Sequence, residues 1–233
     1  MGECDMAFEN DRTAHRISKF RTVLSAVILI LCAVALFAVW DIRFIIAGLI
    51  GGVICLSVKK GLRKRDYFAR VLAFLIAEAF IFSTPPFLSS DSLWRYPIQR
   101  GYIGLYSNIR EMEAFPDFIA DVESGYRFDY MPSILQGTWH YSMCFVTSPE
   151  KAAEYAERYS QTAQYVIPLE EYDGRYTISD TEEITAYIDK EFRAEPSGAQ
   201  IYVCETNLSF NHPHTFAVIV DVDRGMIQLS QAG

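Results

Sequence analysis

From Thr22 to Trp40 the chain runs for nineteen residues without a charge (TVLSAVILILCAVALFAVW). At about 1.5 Å of rise per residue such a helix is roughly 28 Å long, close to the hydrocarbon thickness of a bilayer. Only Asp41, Ile42 and Arg43 separate it from a second apolar run, Phe44 to Val58 (FIIAGLIGGVICLSV). Ile42 can extend that run, and Arg43 can reach the interface with its head group. Two apolar runs joined this tightly predict a transmembrane hairpin rather than a buried soluble one, because long charge-free runs are rarely core helices. A cleaved leader is not expected, although the preceding segment is basic. The first run is long for a leader, and a second follows at once.

A third segment, Val71 to Leu88 (VLAFLIAEAFIFSTPPFL), carries Glu78 in its middle. Its strongly apolar residues contribute about −4 kcal/mol to insertion, against roughly +2.5 to +3.5 kcal/mol for one central acid. Crossing is favoured by a small margin, the alternative being a helix lying on the surface. Pro85 and Pro86 end the segment, since neither donates a backbone hydrogen bond and each restricts the residue before it. The expectation is a three-helix transmembrane block over 22–88, with helices at about 22–40, 42–58 and 68–86.

Basic residues set the orientation. Arg12, Arg16, Lys19 and Arg21 precede the first run, and Lys59, Lys60, Arg63, Lys64, Arg65 and Arg70 lie between the second and third. Both segments read as cytoplasmic. Residues 1–21 are then a cytoplasmic tail, and 89–233 form a domain outside the cell membrane. Trp94 and Tyr96, just past the exit, read as an interfacial aromatic belt.

Charge divides at the same boundary. Up to Leu88 there are eleven Lys and Arg against seven acids, and beyond it ten against twenty-two. So acidic a domain excludes nucleic acid as a partner and fits poorly with docking onto anionic lipid. The expected partners are the lipid bilayer itself and another membrane protein or envelope component.

Within the second run Gly48 and Gly52 make a GxxxG with Ala47 and Gly51 beside it. Small residues let helices approach closely, either as a homodimer seam or, as the short connection favours, within one chain.

In the soluble part, Pro97 to Gly101 reads as a neck and Tyr102 to Glu113 as a helix. Trp139 to Thr147 (WHYSMCFVT) is a strand. Ser148-Pro149-Glu150 starts a helix, with a hydroxyl cap, proline at the first position and an acid in the first turn. Gln164 to Leu169 is a strand whose expected hairpin partner is Arg175 to Ser179, across Tyr172-Asp173-Gly174. Thr181 to Phe192 is expected as a capped helix, although Ile184, Ala186 and Ile188 also alternate as in a strand. Ala199 to Thr206, Thr215 to Val222 and Met226 to Ser230 complete an antiparallel sheet. The fold class is α+β, with two or three helices on a small antiparallel sheet.

Phe115-Pro116-Asp117-Phe118-Ile119, Phe128-Asp129-Tyr130-Met131-Pro132 and Leu135-Gln136-Gly137 form an arrangement that resembles membrane-anchored extracytoplasmic domains of unknown function in Gram-positive bacteria. The resemblance covers about the first third of the soluble part. It implies an extracytoplasmic location and an α+β fold, and no activity.

Candidate chemistry is sparse. His212 and His214 flank Pro213, and in an extended chain both could reach one ion, with His140 as a third ligand. No HExxH or cysteine-rich spacing accompanies them, so no cofactor or metal is expected. His140 and Cys144 are four residues apart, about 13 Å along a strand and beyond hydrogen-bond reach. Asp221-Val222-Asp223-Arg224-Gly225 begins like a calcium loop, but its fifth position is glycine and no Glu closes it, which favours a hairpin turn. Cys144 and Cys204 could pair outside the cell or be small core residues. Glu78 is an intramembrane polar candidate, as a cation, partner or proton site or as a protonated acid bonded to a neighbouring helix.

The chain therefore reads as a membrane protein of the cell envelope that presents a non-catalytic extracytoplasmic binding or scaffold domain. Two alternatives stand beside it: a tethered metal-dependent hydrolase using the histidines, and a small membrane regulator acting through the spans and Glu78.

Overall fold

The computed structural model describes residues 22–24, 26–57, 64–106, 115–116, 119–133, 138–179, 182–207 and 214–233. The chain divides into two compact units, Met1–Thr84 and Pro85–Gly233.

The first unit contains three consecutive helices: α1 (Thr22–Val39), α2 (Arg43–Ser57) and α3 (Lys64–Ser83). Among the described residues α1 alone is long and apolar enough to cross a membrane by length and composition. The expected three-helix transmembrane block is met only that far. α2 is apolar but has fifteen residues, and the twenty-residue α3 carries Asp66, Arg70 and Glu78. α3 begins at Lys64 and ends at Ser83, before the two prolines. The basic loop Lys59–Arg63 and the tail lie outside the described residues.

Trp40 ends α1 in the left-handed region at φ 64°, its N–H on the carbonyl of Leu36 at 2.7 Å. The next residues close the corner into α2. Asp41 pairs with Arg43 at 2.7 Å, and the Arg43 guanidinium also donates to the Thr84 carbonyl at the end of α3. Phe44 and Phe82 meet with ring centroids 5.3 Å apart, and Arg43 lies over Phe82. The glycines of α2 face its neighbours: a Cβ on Gly48 would come 3.1 Å from that of Cys32, and one on Gly51 would touch Ile28 and Phe74. The GxxxG face thus packs within the chain, as the short connection favours.

The second unit is α+β, built on a seven-stranded antiparallel sheet. Its elements in chain order are β1 (Leu88–Ser90), α4 (Tyr96–Ile103), β2 (Ser124–Met131), β3 (His140–Val146), α5 (Pro149–Ser160), β4 (Tyr165–Pro168), β5 (Tyr176–Ser179), β6 (Glu182–Ile184), α6 (Lys190–Ala194), β7 (Gln200–Asn207), β8 (His214–Asp221) and β9 (Met226–Ala232). The strand order is β1-β2-β3-β9-β8-β7-β4, and β5 and β6 form a separate pair.

The sheet buries both faces. On one, Tyr126, Phe128, Tyr141, Phe145 and Phe216 pack with Tyr96 of α4, Phe115 and Tyr155 of α5. On the other, Cys144, Ile167, Ile201, Val203, Ala217 and Ile219 pack under Ile184, Ala186, Ile188 and Phe192. A sheet covered on both sides needs continuous apolar strands, and the burial of β3, β8 and β9 is nearly unbroken.

Ser148 caps α5 as expected, its Oγ accepting from the Lys151 N–H at 3.3 Å, with Pro149 in the first turn. Four expectations are corrected. Pro97 to Gly101 is no neck but the body of α4. Proline is welcome in the first turn, where its missing N–H has no partner to lose. Of the expected helix Tyr102 to Glu113, Tyr102 and Ile103 close α4, residues 104–106 form a turn, and the rest falls outside the described residues, as does Leu135-Gln136-Gly137. β5 does not pair with β4: it pairs with β6, while β4 takes the sheet edge against β7. The helix expected over Thr181 to Phe192 does not run through Glu182 to Asp189. Ile184, Ala186 and Ile188 alternate into the core with period two, and a helix starts only at Lys190, capped by Asp189 accepting from the Glu191 N–H at 2.9 Å. Finally, Tyr96 is no membrane belt residue. It is fully buried, and its hydroxyl donates to the Pro116 carbonyl at 2.6 Å.

Candidate functional site

Among the described residues, a connected cluster of polar side chains lies on one face of the sheet. Along β2, Arg127 and Asp129 alternate with the buried aromatics Tyr126, Phe128 and Tyr130, so the polar pair shares the face opposite α4. The register sets Arg127 opposite Cys144 and Asp129 opposite Ser142 on β3, and Ser142 opposite Ser230 on β9. His140 and Gln228 lie on the same face by the same alternation.

The segment from Ile184 to Ala194 crosses this face as a strap. Side chains of the sheet, rather than a backbone ladder, hold it. The Gln228 amide donates to the Tyr187 carbonyl at 2.8 Å and to Ser142 Oγ at 3.0 Å, and its oxygen accepts from the Asp189 N–H at 2.9 Å. Ser230 donates to the same Tyr187 carbonyl at 2.8 Å. Arg127 pairs with Asp189 at 2.6 Å and also with Glu191. The His140 ring lies flat on Tyr187, centroids 3.9 Å apart at 4°, and its Nε2 meets Asp129 Oδ2 at 2.6 Å. Burial, and then the charges of Asp129 and Asp189, hold the Tyr187 phenol above its ordinary range.

The sequence candidates fall as follows. His140 is spent on Asp129 and Tyr187. Cys144 lies on its face of β3 but is buried, and burial, with the charge of Asp189, pushes its thiol up to about 12. A thiol so held is not a nucleophile at neutral pH. Cys204 sits at the bulge between Val203 and Glu205 on β7, three strands from β3. The candidate pair is not formed: both thiols are free, and burial pushes that of Cys204 up to about 11. Three inter-strand spacings are roughly 14 Å, well beyond disulfide reach.

His214 pairs with Glu205 at 3.3 Å at the end of β8. Thr215, the next residue, is level with Ala232 and His140, so His214 points to the opposite side of the sheet from His140. Those two histidines cannot share one ion, and His212 lies outside the described residues. Among the described residues no group of three His, Cys, Asp or Glu is placed to hold a metal. Asp221 accepts from the Arg224 N–H at 3.0 Å and pairs with its guanidinium, which makes the β8–β9 connection a closed turn. Glu78 lies on α3, and its Oε1 is buried with no hydrogen-bond partner among the described residues.

An open cleft of about 270 Å³ lies beside the strap, lined by Leu169, Tyr172, Ile188, Arg193 and Pro196 among others. Its Tyr172 hydroxyl is committed to the Ala186 backbone, accepting from its N–H at 2.6 Å.

Arg127, Tyr187, Asp189 and Gln228 are not among the sequence candidates, and Asp129 stands there only within Phe128-Asp129-Tyr130-Met131-Pro132. The available signal was the polar–aromatic alternation of Ser124–Met131, which marks a strand with one polar face. No protein-family model matches the chain, no curated protein matches its sequence and no solved structure matches its fold.

Proposed function

We propose that this chain is a three-span protein of the cell membrane that holds an acidic α+β domain outside the cell as a non-catalytic binding or scaffold module. The observation that carries the reading is the tie between Arg43 and Thr84. It joins the α1–α2 corner to the far end of α3, so α1 and α3 run in the same sense and end together. If α1 crosses, a neighbour of this length tied in this way crosses with it. The basic residues on the opposite side, before Thr22 and around Lys59 to Arg70, favour the cytoplasm for that side. The residues after Ser83 then emerge outside, where the resemblance to extracytoplasmic domains also puts them.

The non-catalytic part of the reading rests on how the reactive groups are used. His140, Ser142, Arg127 and Asp189 hold the strap to the sheet, and Cys144 is buried. Asp129 and Glu191 keep much of their surface at the rim. With the acidic balance of the domain, that favours a protein or envelope component carrying basic groups over nucleic acid.

Paired reporters on either side of α3 test the topology. A fusion joined after Lys64 is expected to give fluorescent protein and no periplasmic-type phosphatase activity, and one joined after Leu88 the reverse. Equal behaviour at both junctions contradicts the third crossing.

A further inference from the structure

The cleft beside the strap lies wholly within the second unit, between residues 169–174 on one side and 188–196 on the other. Its floor is apolar, with Leu169 and Ile188 each only 3% exposed. Tyr172 forms a wall and is fixed before any ligand arrives. Its hydroxyl accepts from the Ala186 N–H and donates to the Gly174 carbonyl at 2.8 Å. A site whose walls are already held spends little of its binding energy on ordering them.

Three charged side chains line the cleft: Glu170 and Asp173 from the first segment and Arg193 from the second. Among the described residues none of the three enters an ion pair or a side-chain hydrogen bond. For Arg193 the reason lies in its neighbours. Asp189, one turn earlier, is the acid that a helix would set beside it. Arg127 holds that carboxylate at 2.6 Å, and it also caps α6. Glu195, two residues on, is held by Arg224 at 3.1 Å. On the other side Arg175, the nearest base in sequence to Asp173, pairs with Glu183 at 3.6 Å. Burial raises the Tyr172 phenol, and the charges of both Arg193 and Asp173 reach it, the first lowering it and the second raising it. One ring thus stands within reach of two opposite, uncommitted charges.

We propose that this cleft binds a free α-amino acid with an apolar side chain. Its carboxylate meets the Arg193 guanidinium, whose fork suits a carboxylate. Its ammonium group meets Glu170 and Asp173, and its side chain lies on Leu169 and Ile188. Opposite charges that stand in one cleft without pairing are bridged by a molecule that carries both signs close together. A purely cationic ligand would leave Arg193 facing a like charge, and a purely anionic one would face two carboxylates. Size agrees: sites for drug-sized ligands run to roughly 300–1,000 Å³, and a cleft of about 270 Å³ suits something smaller. The proposal adds a small-molecule site to the binding reading above and holds on whichever side of a membrane the domain lies.

The test titrates the full chain in nanodiscs with L-leucine and follows saturation transfer from protein to the leucine methyls, with empty discs as the blank. Half-saturation is expected at about 1 mM or below. N-acetyl-L-leucine lacks the ammonium group and L-leucinamide lacks the carboxylate. Each is expected to bind about tenfold more weakly than L-leucine. Arg193→Gln, a change at an exposed side chain, should weaken L-leucine about tenfold and erase its advantage over L-leucinamide. The E170Q/D173N variant should erase its advantage over N-acetyl-L-leucine. The proposal is overturned by the absence of saturable transfer up to about 50 mM, by L-leucinamide binding as tightly as L-leucine, or by an R193Q variant that binds L-leucine unchanged. Any of these leaves the topology standing, since the reporters on either side of α3 read it separately.

Discussion

Gly225 sits at φ 62° in the turn before β9, a conformation in which a side chain is strained. A Cβ there would lie 2.1 Å from the Thr147 carbonyl oxygen, and backbone cannot yield as a side-chain tip can. The approach is fixed because the Thr147 N–H donates to the Gly225 carbonyl at 2.8 Å, closing β3 against the turn. Gly225→Ala is therefore expected to cost about 3 kcal/mol or more, read as a fall in the unfolding midpoint of the domain. Cys144 gives a prediction of different sign with pH. Its thiol ordinarily ionises near 9 and in the fold near 12, so the folded state keeps a proton that the unfolded chain loses. The resulting stability is complete below about pH 9 and is lost as pH rises toward 12. Between pH 8 and 11 the domain is expected to lose on the order of 2 kcal/mol through this group. Cys144→Ala should flatten that part of the curve. Alkylation mapped by peptide mass should leave Cys144 unlabelled at pH 8 until denaturant is added.

At the scale of elements, the strap Ile184 to Ala194 is where sequence and structure parted. Its local signals are those of the capped helix expected over Thr181 to Phe192. The period-two burial of Ile184, Ala186 and Ile188 overrode them, because an extended segment could fill the apolar half of the sheet face while Gln228 met its backbone. That partner is 39 residues away in sequence from Asp189, and no local pattern announces it. In β2 the alternation of Tyr126, Arg127, Phe128 and Asp129 carries the strand, with aromatics on one face and the polar pair on the other. Where one strong local signal met no rival, as in Ser148-Pro149, reading and structure agree. The strap makes a measurable claim. Gln228→Leu removes one acceptor and the donors to Tyr187 and Ser142, and is expected to cost about 2 to 4 kcal/mol. Hydrogen exchange at Thr185 to Asp189 should rise well before that of β8 and β9. Unchanged exchange in the strap would mean that apolar burial alone holds it.

For the whole molecule, the sequence puts a boundary at Leu88, where the charge-free runs stop and acids begin to outnumber bases two to one, and the two compact units divide between Thr84 and Pro85. The candidate site was less legible, because its residues come from β2, β3, β9 and the strap and meet only through sheet order. His140, a candidate partner of Cys144 or His214 by sequence, meets Asp129 and Tyr187 instead. If α3 crosses the bilayer as proposed, Glu78 is its costly residue, and the Arg43 tie to Thr84 stands at the far end. The most direct measurement is protease digestion of intact cells, followed with a C-terminal tag. The account predicts that the domain is cut while the cells are whole, leaving the segment up to about Thr84 protected. A domain that survives until the cells are lysed would contradict it.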